Sequence, residues 1–187
     1  MPLADVLISV VGLRDGLQSV KAIMATASKL RWIDALYASG LREIEVCSFV
    51  PVTLLPQMKD AVDIALCALT LPGLTVMALV PNVRRAQAAF AAVVHEINIR
   101  VSASEVHSLS NVRKTRVRMV EDSSGNVVPE DLVFMFEAMG VRNGVDLNDL
   151  IAAREPLHVG LPGEPIYGMT AAVGLPMGWP QRAQYGN

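Results

Sequence analysis

The chain has 187 residues, of which 52% are apolar and 18% are charged, and its 16 basic and 18 acidic side chains give a net charge of -2. A chain of this length buries about 70% of its unfolded surface in a single core, so folding requires neither a disulfide framework nor a structural metal. The near-neutral charge and the lack of a basic block argue against binding to nucleic acid or to an anionic membrane surface.

The cysteines and the apolar stretches indicate where the protein resides. Cys47 and Cys67 each lie in an apolar run, so we expect two buried thiols in a reducing compartment rather than a disulfide. The longest uncharged stretch, residues 64–83, is interrupted by Pro72 and Gly73, which predicts a helix, a turn and a strand instead of a membrane span. The first residues lack the basic lead and cleavage site of a signal peptide. We therefore expect a cytoplasmic protein.

The first hundred residues alternate between two hydrophobic periodicities, which is typical of βα units in a parallel sheet. Short apolar runs predict four strands, and amphipathic stretches predict three helices between them. In chain order we expect a strand at 6–11, a helix at 26–39 capped by Gly40, a strand at 43–49, a helix at 57–69, a strand at 74–80, a helix at 84–94 and a strand at 97–102.

After residue 104 the alternation ends, and helices joined by irregular segments are expected. The sequence predicts helices at 108–120 and 130–139, a loop at 122–126, and a short helix that begins at an Asp146 N-cap and runs to residue 153. The Gly- and Pro-rich tail, residues 156–180, is expected to be irregular apart from a brief helix at 169–173. We predict one domain over 1–187, with βα units in 1–104 and helices and irregular segments in 105–187.

Successive βα units fit either a TIM barrel or a doubly wound sheet. A complete (β/α)8 barrel takes about 250 residues, which is more than this chain has. Gly12 and Gly16, after the first strand, do not have the G-x-G-x-x-G spacing of a dinucleotide-binding fold. We therefore expect an α/β fold whose parallel βα units resemble an incomplete TIM barrel.

Charged residues follow the first predicted strand directly. In a parallel barrel the carboxyl ends of the strands form the active face, so Arg14 and Asp15 are expected there. An aspartate supplies a hard oxygen ligand for Mg²⁺ or Mn²⁺, and an arginine supplies a fixed cation for a developing oxyanion. The alternative is a surface turn that carries a local ion pair.

The second predicted strand carries a carboxylate within an apolar sequence. Strict alternation places Glu45, Cys47 and Phe49 on one face, which we expect to be the barrel interior. A buried carboxylate requires a partner, and Arg14 at the end of the neighbouring strand is the expected one.

Several motifs together resemble one enzyme family. VGLRDGLQ at 11–18, IEVCSFV at 44–50, PQM at 56–58, LVPN at 79–82 and VSASE at 101–105 occur in the order and spacing found in hydroxymethylglutaryl-CoA lyases. SGN at 124–126, EDLVFM at 130–135 and GVDL at 144–147 resemble the C-terminal part of the same family. The resemblance implies a metal-dependent TIM barrel that cleaves 3-hydroxy-3-methylglutaryl-CoA into acetyl-CoA and acetoacetate.

The resemblance also assigns roles to residues. It implies that Asp15 and Asn126 bind the divalent metal, Mg²⁺ or Mn²⁺, and that Arg14 stabilises the enolate oxygen. It implies that Glu45 is a catalytic or supporting carboxylate, and that Gln18 and Ser48 contact the acyl-CoA substrate. With only two protein ligands we expect weak metal binding, because water and substrate must supply the rest of the shell.

The sequence departs from the family after its fourth strand. The family has three further strands, a His-x-His metal pair and a glycine-rich loop with a catalytic cysteine, and none has a counterpart here. His95, His107 and His158 are widely separated and are expected to be solvated or capping. The departures imply reduced or lost activity.

Two alternatives to a working lyase follow. One is a non-catalytic family member that acts through self-association, as a homo-oligomer, or through a partner subunit, because a four-stranded open sheet leaves two edges and an apolar face uncovered. The other is a three-layer α/β domain, completed by the residues after Asn126, that binds another ligand.

Overall fold

The computed structural model describes residues 4–81, 83–98 and 128–175. Several predicted features lie outside these residues: the end of the fourth strand, the helix at 108–120, His107, the loop at 122–126 with Asn126, and the tail after residue 175.

Four parallel strands form one sheet. They are β1 (Ser9–Val10), β2 (Glu43–Ser48), β3 (Thr75–Leu79) and β4 (Glu96–Asn98), and each pairs with the next in the order β1-β2-β3-β4. Among the described strands the order never reverses, whereas a doubly wound sheet has a reversal at its ligand site. The prediction of parallel βα units with the topology of an incomplete TIM barrel is confirmed.

Three helices connect these strands: α1 (Thr26–Ala38), α2 (Ala61–Ala68) and α3 (Val83–Ala91). The apolar face of α1 is buried, and Ile33 and Leu36 are 1% and 3% exposed. Gly40 ends the helix as predicted, with φ at +101°. A side chain there would also collide with the backbone oxygen of Gly144, so both conformation and space require glycine.

Two of the predicted βα elements differ most from their expected bounds, and the helix expected at 84–94 also ends early, at Ala91. The first strand is only two residues long, Ser9–Val10, and the chain turns into a single π-helical turn, Gly12–Gly16, soon after Val10. The second helix does not begin at Gln57. A short 3₁₀ turn, Pro56–Met58, comes first, and α2 starts after Asp60.

The C-terminal part is helical: α4 (Pro129–Ala138), α5 (Leu147–Ala152), α6 (Glu155–Gly160) and α7 (Met169–Val173). The N-cap at Asp146 is confirmed, since its carboxylate accepts hydrogen bonds from the backbone amides of Asn148 and Asp149. The predicted irregular tail was wrong at its start, because Pro156 lies in the first turn of α6. Proline is well tolerated there, since a first-turn amide has no helical acceptor.

The C-terminal helices pack on the first βα unit. Both α5 and α6 contact α1, and the backbone amide of Asp146 donates to the oxygen of Ser39 at 2.6 Å. A Cβ at Gly160 would lie 2.9 Å from Met24 Cγ and Ser28 Cβ, so α6 approaches this region closely. Helices α5 and α6 therefore pack against α1.

The two central strands, β2 and β3, have both faces buried, which contradicts the expected uncovered apolar face for that part of the sheet, whereas Ser9 of β1 and Glu96 of β4 are exposed. On β3, Val76, Met77 and Ala78 are at most 3% exposed although successive side chains point to opposite faces. The expectation of two buried thiols was half wrong, because Cys47 is buried but Cys67 is exposed on α2, where an apolar run includes the outer face of a helix. Within residues 4–81, 83–98 and 128–175 no helix is long and apolar enough to cross a membrane.

Candidate functional site

The first βα turn presents Arg14 and Asp15 at the carboxyl edge of the sheet. The amides of both residues donate to the carbonyl of Val11, at 3.0 and 2.7 Å, so the turn folds back on the end of β1. Leu13 is fully buried and anchors the turn in the core. This local fold places a charged pair where the sequence predicts it.

Arg14 is buried and ion-paired with Glu45. Its Nε donates to Glu45 Oε2 at 2.6 Å, and the two residues are 2% and 0% exposed. Its Nη1 donates to Asp15 Oδ1, and the Asp15 side chain is 24% exposed. The partnership predicted for Arg14 and Glu45 is confirmed, and the local Arg14–Asp15 pair exists as well.

Glu45 has a further partner that the sequence analysis missed. Asn98 Nδ2 donates to Glu45 Oε1 at 2.9 Å, so both carboxylate oxygens accept a hydrogen bond. The only signal for Asn98 was a polar residue within a short apolar strand, and nothing in the sequence tied it to Glu45.

A bulge in β2 changes which side chains share a face. Glu45 pairs with Met77, but Cys47 pairs with Ala78, so Val46 is an extra residue. Paired residues of parallel strands point to the same face, so Cys47 lies on the face opposite Glu45. The predicted common face of Glu45, Cys47 and Phe49 is therefore wrong.

The same register places Ser48 on the face of Glu45, because Ser48 pairs with Leu79, two residues beyond Met77. Ser48 is fully buried, and its Oγ donates to the Leu79 carbonyl at 3.2 Å. Gln18, in the helical turn Leu17–Ser19, is half-buried. The remaining residue of the predicted site, Asn126, lies outside the described residues.

Cys47 is not suited to act as a nucleophile. Burial raises the pKa of its thiol to about 12, and the negative charges of Glu45 and Asp60 act in the same direction. The thiolate, which is the reactive form, is therefore scarce at neutral pH.

A buried polar cluster, made of Thr26, Lys29, Gln57 and Asp60, joins the two loops at this edge. Lys29 Nζ donates to Asp60 Oδ1 at 2.6 Å and to the Gln57 carbonyl, and Thr26 Oγ1 donates to Asp60 Oδ2 at 2.7 Å. Gln57 Nε2 donates to the carbonyl of Val20 at 2.6 Å. These bonds fix the loop after β1 to the loop after β2.

The described residues do not by themselves complete a metal site. No group of three or more His, Cys, Asp or Glu side chains that could hold an ion occurs within residues 4–81, 83–98 and 128–175. Asp15 is a suitable oxygen ligand, but both oxygens of Glu45 are engaged. His95 Nδ1 accepts a hydrogen bond from the Val76 amide at 3.0 Å, and His158 is exposed in the last turn of α6.

Comparisons with known proteins place this geometry in a family context. The HMGL-like family model matches residues 5–124, which is more than half of the chain. Hydroxymethylglutaryl-CoA lyase YngG of Bacillus subtilis is 40% identical over 110 residues, covering 59% of this chain and 37% of the relative. The mitochondrial hydroxymethylglutaryl-CoA lyase of Arabidopsis thaliana is 44% identical over 105 residues, covering 56% of this chain and 22% of the relative.

The chain thus spans less than two fifths of the length of either relative. Among solved structures, a hydroxymethylglutaryl-CoA lyase chain from Pseudomonas aeruginosa superposes with a TM-score of 0.77, covering 92% of this chain and 98% of that chain at 20% identity. That similarity supports the fold, and the family model supports the lineage. The chain belongs to the HMGL-like family.

Proposed function

We propose that this chain is a hydroxymethylglutaryl-CoA lyase-like protein whose site binds a divalent ion and the acyl group of a CoA thioester. The observation that carries the proposal is the buried Arg14–Glu45 ion pair beside Asp15 at the carboxyl edge of the sheet. A buried charged pair is weak evidence for stability, so its presence at this edge favours a functional role. The names of the relatives supply the substrate class.

The proposed reaction is the retro-aldol cleavage of 3-hydroxy-3-methylglutaryl-CoA to acetyl-CoA and acetoacetate. The tertiary hydroxyl gives up its proton to solvent and its C–O bond becomes the ketone carbonyl of acetoacetate, while the carbon–carbon bond breaks and leaves its electron pair on the acetyl thioester as an enolate. Uptake of a proton from solvent at the enolate carbon then gives acetyl-CoA. Nε and Nη1 of Arg14 are engaged by Glu45 and Asp15, which leaves its Nη2 amino group to donate to the enolate oxygen. Glu45 orients the guanidinium, and the fixed cation needs no reorganisation as charge develops.

The remaining roles are assigned with the same proposal. Asp15 and Asn126 would hold Mg²⁺ or Mn²⁺, which would polarise the tertiary alcohol, and water and substrate would fill the other positions. Gln18 and Ser48 would contact the substrate, although the Ser48 hydroxyl already donates to a backbone carbonyl. Two protein ligands make the ion weakly bound.

We expect cleavage to be slow or absent. The family's His-x-His pair and cysteine loop have no counterpart among these residues, and the three histidines of the chain are far apart in sequence. Catalytic groups that act as a unit fail together when one is removed. Ligand binding can outlast turnover, because Arg14, Asp15 and Glu45 assemble without the missing groups.

Isothermal titration tests the proposal. Mn²⁺ is titrated into the protein alone and with hydroxymethylglutaryl-CoA, and the experiment is repeated on Asp15→Asn, with Asp63→Asn on the exposed side of α2 as the matched control. We expect Mn²⁺ binding that tightens with the acyl-CoA, that Asp15→Asn abolishes and that Asp63→Asn preserves. Equal binding by all three proteins, or none by the unsubstituted chain, refutes it.

The remaining expectations concern the state of the molecule. Self-association as a homo-oligomer stays a prediction: the buried faces of β2 and β3 do not support it, whereas the exposed residues Ser9 and Glu96 lie on the edge strands β1 and β4. Light scattering across micromolar concentrations tests it, and a constant monomer mass would rule it out.

We also propose a single domain over 1–187. We propose a cytoplasmic location as well, which two unpaired cysteines support.

A further inference from the structure

The last residue of β4 takes part in the site. Asn98 Nδ2 donates to Glu45 Oε1 at 2.9 Å, and the Asn98 carbonyl accepts a hydrogen bond from the Val80 amide, also at 2.9 Å. The backbone of Asn98 is thus held by β3 while its side chain reaches past β3 to β2.

The strand register explains why these side chains meet. Glu45 pairs with Met77, and Asn98 pairs with Leu79, so both lie on the face of the sheet that Met77 and Leu79 share. In a TIM barrel, alternate strands contribute to the same interior layer. β2 and β4 are alternate strands, and their contact is the start of such a layer.

The two hydrogen bonds on Glu45 define the orientation of its carboxylate. Oε1 is held by Asn98 and Oε2 by Arg14 Nε at 2.6 Å, and Glu45 is fully buried. Without a donor at Oε1, the carboxylate plane is free to rotate about its terminal torsion, which is broad for glutamate. Rotation would move Oε2 away from Arg14 and release the guanidinium from its fixed position.

We infer that Asn98 is a positioning residue that fixes the Glu45 carboxylate and, through it, the Arg14 guanidinium. The use of this positioning in substrate binding rests on the proposed function. The positioning itself does not, since Arg14 is aligned in the protein without ligand. Asn98 acts through Glu45 and contacts no reacting atom.

The test is NMR of the arginine side chain in ligand-free, ¹⁵N-labelled protein. The Arg14 Nε–H signal is assigned by its loss in Arg14→Lys, and its hydrogen exchange is compared in Asn98→Ala, in the isosteric Asn98→Asp and in a control, Asn148→Ala, at an exposed position on α5. The Val80 amide, which bonds to the backbone of residue 98, reports strand pairing in every variant.

We expect Arg14 Nε–H exchange to rise by about tenfold in Asn98→Ala, the change expected for losing a hydrogen bond to a charged group, and by more in Asn98→Asp, which places a second carboxylate beside Glu45. Val80 protection and the Asn148→Ala control should not change. Unchanged Arg14 exchange in both Asn98 variants overturns the inference. So does parallel loss of Val80 protection in both, since residue 98 would then serve only strand pairing. Because no ligand is present, failure of acyl-CoA binding does not affect the result.

Discussion

Removing the cation from the buried pair should destabilise the fold strongly. Arg14→Met deletes the guanidinium but keeps much of the apolar stem, and it leaves Glu45, which is fully buried, with the Asn98 amide as its remaining partner. Breaking a buried ion pair by removing one partner costs about 3–5 kcal/mol. Asp15 loses the same partner, but its partial exposure makes that loss small. The expected cost is a large fraction of the free energy of unfolding of a typical protein, which is about 5–15 kcal/mol.

Urea unfolding at neutral pH measures this cost, with Arg84→Met on the exposed side of α3 as the matched control, expected to change the free energy of unfolding by less than about 0.5 kcal/mol. The decisive comparison is Arg14→Met with Glu45→Leu added. Replacing both charges removes the uncompensated carboxylate, so the double variant should be more stable than Arg14→Met alone. Additive losses from the two single substitutions would refute a direct buried pair.

The remaining predictions concern the packing of α6 and two carboxyl groups, Asp5 and Glu130, whose pKa values are shifted. Gly160→Ala should lower the free energy of unfolding in urea by about 1–3 kcal/mol, because its Cβ meets packed side chains. The control, Gly16→Ala, should be neutral or stabilising, because a Cβ at Gly16 has nothing within 4 Å and φ is -61°. Equal effects would contradict close packing of α6. Hydrogen bonds from Arg142 lower the pKa of Asp5 from 3.8 to about 2, so its contribution to stability is complete above pH 4 and is lost as the pH falls toward 2. In thermal melts, Asp5→Asn should remove this part of the fall in melting temperature at low pH. An unchanged fall would count against the contact between Asp5 and Arg142. Burial raises the pKa of Glu130 above 4.5, so the folded state holds a proton more tightly than the unfolded state, and stability should fall as the pH rises above 4.5. Glu130→Gln should flatten this dependence of stability on pH. A dependence that survives the substitution would contradict the assignment to Glu130.

The main strands and the charged pair were predictable because they depend on local patterns. The apolar residues of β3 mark a buried parallel strand, and β2 carries Glu45 between the buried residues Ile44 and Val46, where a carboxylate demands a nearby cation. Arg14 was the available partner because it follows the neighbouring strand. The resemblance to a family strengthened this reasoning, but a carboxylate flanked by Ile44 and Val46 already required a partner.

The features that were missed depend on neighbouring elements. The bulge at Val46 is a property of the pairing between β2 and β3, so alternation within β2 alone cannot reveal it. The contact between Asn98 and Glu45 requires two strands separated by a third to share an interior layer. Helix α6 was predictable in part, because Glu155 followed by Pro156 is a sound first helical turn.

The most direct test of the account is anomalous diffraction from crystals of the protein grown with Mn²⁺ and hydroxymethylglutaryl-CoA. We expect an Mn²⁺ peak within coordination distance of a carboxylate oxygen of Asp15, with an acyl oxygen within hydrogen-bond distance of the Arg14 guanidinium. An ion or acyl group bound elsewhere, with Arg14 and Asp15 contacting only the protein, would contradict it.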